Sequence, residues 1–187
     1  RGERFEERLT DYMFENCQLK PEFARVQNQC QGVTNSYQNT QSMGVDRWLV
    51  MLAAYAGSGS ACCILDCGSA MTFDWINHEG KHMGGFIVPG LKMLQGSLAR
   101  KSSALDVVLE DWSVPAPGKS TSAAISQGIH AMVTGFIRQC RELSNDKEKD
   151  ASWYLTGGDA NLISKQLNWT HKVENDLVLD GLRLALP

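Results

Sequence analysis

The chain has 187 residues, 43% of them hydrophobic and 21% charged, with a formal net charge of -3. That length and balance suit a soluble globular protein with one substantial core or two small lobes sharing one, and exclude both a minimal domain and a disordered chain. Basic residues cluster no further than short pairs, so nothing calls for a nucleic-acid partner, and no apolar run is long enough to span a bilayer. The six cysteines, Cys17, Cys30, Cys62, Cys63, Cys67 and Cys140, lack the paired CxxC spacing of a zinc site and read as reduced, packed thiols. No secretory leader is visible at Arg1, and the expected compartment is the cytoplasm.

In chain order, residues 1–20 predict a short helix with Phe5, Leu9, Met13 and Phe14 near one face. Residues 27–43, rich in Gln, Asn, Ser and Thr, read as loop around Gly32 and Tyr37. A helix is expected from Asp46 to Tyr55, ended by Gly57-Ser58-Gly59. The apolar run Cys62-Cys63-Ile64-Leu65 predicts a buried strand that ends at Asp66 and turns through Cys67-Gly68-Ser69-Ala70 into a second strand, Met71–Ile76. Asn77-His78-Glu79-Gly80 joins short strands as a hairpin, and Gly84–Gly90 reads as a stiff, compact crossing.

A helix is expected from about Leu91, carrying Leu94 and Leu98, and Asp106–Lys119 reads as a surface connection. The clearest helix covers Thr121–Leu143, where Ile125, Ile129, Met132, Val133, Phe136, Ile137 and Cys140 recur at steps of three and four. Within it Gly128 and Gly135 mark either close packing or local softness. After a solvated stretch, Asn145–Asp150, come a strand at Trp153–Thr156, a turn at Gly157-Gly158 and a helix around Asp159–Leu167. A last strand at Leu177–Leu179 then precedes Gly181 and a short terminal helix. Strands alternating with longer helices argue for α/β architecture.

Three places carry chemistry. The turn after Asp66 either serves a plain hairpin, with Gly68 permitting it, or presents Ser69 and backbone N–H groups to phosphate oxygens while Asp66 faces a cation. Gly157-Gly158 is either a left-handed turn or a place where a base or ribose approaches bare backbone. Neither GxxxxGK[ST] nor a GxGxxG opening a helix is present, so a Walker-type ATPase and a Rossmann dehydrogenase are poor fits. In Gly44-Val45-Asp46-Arg47-Trp48, Asp46 either caps its helix, with Arg47 in a surface ion pair, or takes the proton of a substrate hydroxyl while Arg47 holds an anionic substrate bidentately.

Taken together, Gly44–Trp48, Asp66–Thr72, Gly80–Gly90 and Thr156–Ala160 resemble type III pantothenate kinase, including the accessory-factor proteins that share its sequence family. The resemblance runs from roughly Gly32 to Leu186. It implies an acetate and sugar kinase/Hsc70/actin-like fold of two ribonuclease H-like α/β lobes around a nucleotide cleft. Residues 1–60 would then be the remainder of the N-terminal lobe, and 61–187 the C-terminal lobe. On that pattern Asp46 matches the proton acceptor, and Gly44, Val45, Asp46 and Arg47 match the pantothenate-binding segment. Tyr37 and Thr121 match further substrate contacts, Gly68, Ser69, Gly157 and Gly158 the ATP site, and Asp66 the monovalent-cation position, K+ or NH4+.

The same resemblance implies phosphorylation of pantothenate by ATP with Mg2+, the first step of coenzyme A biosynthesis, in a homodimer. Ser69 stands where the family commonly has threonine and keeps the hydroxyl. The Asp-x-Gly-Asn-type phosphate turn with which such enzymes begin has no counterpart in residues 1–31, so the first lobe is expected to be incomplete and turnover by such a shortened chain very weak. The competing readings are a non-catalytic regulatory or binding homologue on the same scaffold and an unrelated sugar kinase of the same fold.

Overall fold

The computed structural model describes residues 2–99 and 116–186. In chain order the elements are α1 (Gly2–Cys17), β1 (Gln29–Cys30), β2 (Val33–Thr34), α2 (Val45–Ser58), β3 (Cys62–Cys67), β4 (Ala70–Ile76), β5 (His82–Pro89), α3 (Leu91–Ala99), α4 (Thr121–Asn145), β6 (Ser152–Thr156), α5 (Ala160–Ser164), β7 (Lys172–Val173) and α6 (Leu177–Ala185). β3, β4 and β5 form an antiparallel meander. β6 then returns parallel to β3 on its other side and β7 adds parallel to β6, giving the order β5-β4-β3-β6-β7.

β3 is central in this sheet and almost wholly buried, which is why it reads as a continuous apolar run. Its alternate residues serve two cores. Cys63, Leu65 and Cys67 join Met71, Phe73 and Trp75 of β4 and Trp153 and Leu155 of β6 beneath Ile129, Val133, Ile137 and Cys140 of α4. Cys62 and Ile64, with Ile76 and Tyr154, face the other way and pack against Trp48, Met51 and Leu52 of α2 and Leu177 of α6. The register pairs Ile64 with Asp74, and Asp66 with both Thr72 and Thr156. Period-two alternation therefore turns Asp66, Thr72, Asp74 and Thr156 toward the face that α2 covers.

Several expectations need correction. The 27–43 loop holds the short β1–β2 hairpin, turned by Gln31 and Gly32, both with positive φ. The Gly84–Gly90 crossing is mostly strand: β5 pairs with β4 through Pro89, a position an edge strand tolerates. Leu177–Leu179 is the first turn of a helix, and the last strand comes earlier, at Lys172–Val173. Helical spacing wins there because Leu177 and Gly181, four apart, share the face buried against α2. The helix after Gly158 is also shorter than expected.

Gly128 and Gly135 border open space, so close packing does not explain them. Phe5 and Phe14 of α1 are exposed, while Leu9 and Met13 are half-buried. The 145–150 stretch is largely exposed, though Glu148 pairs with His78 at 2.7 Å. The Leu98 side chain and most of the 106–119 connection lie outside the described residues.

Two outcomes follow from this packing. A Cβ at Gly181 would collide with the Leu49 carbonyl, so Gly181→Ala should destabilise the protein by roughly 1–3 kcal/mol in denaturant titration, because neither helix backbone can yield. Burial raises the thiols of Cys62, Cys63 and Cys140 to about 12 and raises Cys67 as well, whereas Cys17 is exposed and Cys30 partly so. Iodoacetamide labelling of the native protein, read by peptide mass spectrometry, should mark Cys17 first and Cys30 more slowly, with the other four reacting only after unfolding.

Candidate active site

The turn between β3 and β4 is held from two sides. Gly157, with φ of 88°, approaches so closely that a Cβ there would stand 2.5 Å from Asp66 Oδ1 and 2.7 Å from the Cys67 carbonyl carbon. The Asp159 amide donates to the Cys67 carbonyl at 3.0 Å, and the Gly90 amide donates to the Ser69 carbonyl at 3.1 Å. A Cβ at Gly68 would come within 3.3 Å of Asp66 Oδ1. Bare backbone at both glycine turns therefore makes room for one carboxylate. Gly68, Ser69, Gly158, Asp159 and Lys92 line a cleft of about 490 Å³ beside it.

The second half of the site is the start of α2. Its N-cap is Gly44, so Asp46 is not the cap; it lies in the first turn, exposed, and its Oδ1 accepts from the Arg47 amide at 2.9 Å. A side chain at 44 would crowd that carboxylate, since a Cβ would stand 2.5 Å from Asp46 Oδ1. Arg47 is not in a surface ion pair. It is 4% exposed; Nε donates to Asp74 Oδ2 at 2.9 Å and Nη2 to Asp74 Oδ1 at 2.6 Å. Nη1 donates to the Tyr37 hydroxyl at 2.8 Å. His82, fully buried, places Nε2 3.0 Å from Asp74 Oδ1 and Nδ1 3.0 Å from Ser36 Oγ, and its ring stacks on Tyr37.

Electrostatics joins the halves. Burial holds the Asp66 carboxyl above its ordinary value of 3.8, and the neighbouring charges of Asp46 and Asp74 push in the same direction. A partly buried carboxylate repelled by two others is a site that a cation would relieve. Among the described residues no group of three or more His, Cys, Asp or Glu side chains is arranged to hold a metal ion. The glycine-lined cleft with Lys92 and the Ser69 hydroxyl suits a phosphate chain.

Of the residues singled out from the sequence, the structure gathers Gly44, Asp46, Arg47 and Tyr37 in one group and Asp66, Gly68, Ser69, Gly157 and Gly158 in the other. Val45 is exposed at the first position of α2. Thr121 is exposed in the first turn of α4, after the Ser120 N-cap, and no hydrogen bond among the described residues joins it to either group. Sequence reasoning missed Asp74, His82, Ser36 and Lys92. The signal for Asp74 was present: a charge inside the otherwise apolar run Met71–Ile76, at the same parity as Thr72.

Residues 3–142 match the family profile described as type III pantothenate kinase. A protein of that name from Azotobacter vinelandii is 36% identical over 186 residues, covering 96% of this chain and 74% of its own length. The namesake from Chromohalobacter salexigens is 36% identical over 167 residues, covering 88% of this chain and 60% of its own. That from Nitrosococcus oceani is 33% identical over 187 residues, covering 97% and 70%. Among solved structures, a Campylobacter jejuni protein assigned to the Baf family of transcriptional activators aligns with a TM-score of 0.56 at 25% identity, over 76% of this chain and 63% of that one.

Because the folded protein holds Asp66 at a raised value, its ionisation opposes folding. That cost is absent below the unfolded value and grows as pH rises from there through the folded one. Asp66→Asn should accordingly raise the thermal midpoint at pH 7–8, with the gain vanishing near pH 3. Potassium should raise the midpoint of the native protein and leave that of the variant unchanged. Scanning fluorimetry across pH, with and without potassium chloride, checks both.

Proposed function

Since the chain belongs to the type III pantothenate kinase family, we propose that it phosphorylates pantothenate with ATP to give 4'-phosphopantothenate, the entry to coenzyme A biosynthesis. Beyond that membership, the reading is carried by one juxtaposition: at the start of α2 an exposed carboxylate, Asp46, directly precedes a buried guanidinium, Arg47. Arg47 and the Tyr37 hydroxyl hold the substrate carboxylate, which fixes the far end of pantothenate. Asp46 orients the primary hydroxyl and accepts its proton as the new O–P bond forms and the bond between the γ-phosphorus and the bridging oxygen breaks, releasing ADP. The phosphates lie over Gly68, Ser69 and Gly158, with Lys92 in the same cleft. Magnesium on the phosphates and a monovalent cation at Asp66 supply charge neutralisation when bound. No covalent enzyme intermediate is needed, because positioning and electrostatics suffice.

In the fold this family implies, residues 1–60 belong to one lobe and 61–187 to the second. The five-stranded sheet, which lies wholly within Cys62–Val173, supports the second assignment. A homodimer belongs to the same reading, with Thr121, exposed in the first turn of α4, as a further substrate contact. Among the described residues no helix is long and apolar enough to cross a membrane. The likeness to a Baf-family protein favours one second reading, a regulatory homologue that has kept the scaffold.

A coupled assay of ADP release with ATP and pantothenate decides between them. Asp46→Asn should lower turnover by roughly 10²–10⁴-fold, as expected for loss of a proton acceptor, and leave the thermal midpoint nearly unchanged because Asp46 is exposed. Near-native turnover in the variant would remove Asp46 from the mechanism, and absence of pantothenate binding by the native protein would favour the regulatory reading.

A further inference from the structure

The residues around Arg47 form a closed circuit that the reaction itself does not require. Asp74 Oδ1 accepts from both Arg47 Nη2 and His82 Nε2, and Asp74 Oδ2 accepts from Arg47 Nε. His82 stacks on Tyr37, with ring centroids 6.1 Å apart, and Tyr37 accepts from Arg47 Nη1. Asp74 is 1% exposed and His82 0%. A buried ion pair of this kind seldom stabilises a fold more than apolar packing of similar volume would, so stability alone does not account for it.

The guanidinium has five N–H groups. Three are committed to Asp74 and Tyr37, which leaves one donor on each terminal nitrogen. Gly85, opposite Asp74 in the β4–β5 register, is exposed and lies close over the pair and its strand: a Cβ there would collide with the Phe73 carbonyl oxygen and Asp74 Oδ1 and stand 2.8 Å from Arg47 Nη2. At Gly85 bare strand backbone thus lies against the ion pair, and two guanidinium N–H groups are left for a ligand.

We propose that Asp74 and His82 are positioning residues for substrate recognition: they clamp Arg47 so that its two remaining donors, beside the Tyr37 hydroxyl, meet the carboxylate of pantothenate. This rests on the reading of Arg47 as the group that holds that carboxylate. The circuit holds all three guanidinium nitrogens through two partners, Asp74 and Tyr37, before substrate arrives, so its orientation entropy is not lost on binding. His82 acts at one remove, holding Asp74 through Nε2 and Tyr37 through its ring face.

Calorimetric titration of the protein with pantothenate, and separately with ADP, tests this. Asp74→Asn should weaken pantothenate by about 10-fold or more, as loss of a charge-assisted clamp implies, and leave ADP within about two-fold. His82→Gln should act in the same direction by about three-fold or more. In an Arg47→Met background, adding Asp74→Asn should change pantothenate affinity by less than about two-fold, because nothing remains to be positioned. Unchanged pantothenate affinity in Asp74→Asn, an equal loss for both ligands, or a full further loss in the Arg47→Met background would each overturn the proposal while leaving the kinase reading intact. No pantothenate binding by the native protein would overturn both. Should Asp74→Asn fail to fold, His82→Gln carries the same two-ligand comparison, with selective loss for pantothenate expected and equal loss overturning.

Discussion

The two hydrogen bonds from Arg47 to Asp74 are the contact on which the rest of the arrangement turns. They tie the first turn of α2 to the second strand of the sheet, so the helix cannot slide or rotate on that face without leaving a buried charge unpaired, an error worth several kcal/mol. Everything near the helix start is then set by position. Asp46, one residue earlier in the chain, must emerge at the surface, and Tyr37 must close over the guanidinium from the preceding loop. An ordinary apolar helix-on-sheet contact would leave such freedom to side-chain repacking; a two-point ionic contact does not.

Asp66 shows the opposite arrangement. Its carboxylate is squeezed between two glycine turns and held above its ordinary ionisation range by burial and by two like charges. Arg47 and Asp74 compensate each other, while no ion pair among the described residues compensates Asp66. Balanced charge thus sits where helix and sheet are locked together, and unbalanced charge sits at the turn.

Much of this was legible in the sequence. The apolar run of β3, the turn into β4 and the period of the long α4 helix were readable, and the motif residues of the turn and of the α2 start fell into two spatial groups, while Thr121 on α4 joined neither. The parts that misread had physical causes. Leu177–Leu179 is apolar enough for either a strand or a helix turn, and only the close approach of Gly181 to Leu49 decides it. Gly84 and Gly85 read as punctuation, yet here glycine keeps a strand thin where an ion pair lies beneath. Asp74 escaped notice because strand propensity speaks of surfaces, and its partner on the surface it faces, Arg47, lies 27 residues earlier in the chain. His82 and Ser36, joined across 46 residues, had no local signal at all.

The pairing of β3 with β4 carries one more consequence. Because alternate residues serve opposite faces, a slip of β4 by a single residue would drive the carboxylate of Asp74 into the hydrocarbon between sheet and α4 and turn Phe73 toward the polar circuit, and the same slip of β3 would do so with Asp66 and Leu65. The two acids thereby act as proofreaders of strand pairing. A chain that has closed its core correctly already has its carboxylates in place, and a misregistered chain is marked by charges that no neighbour can accept.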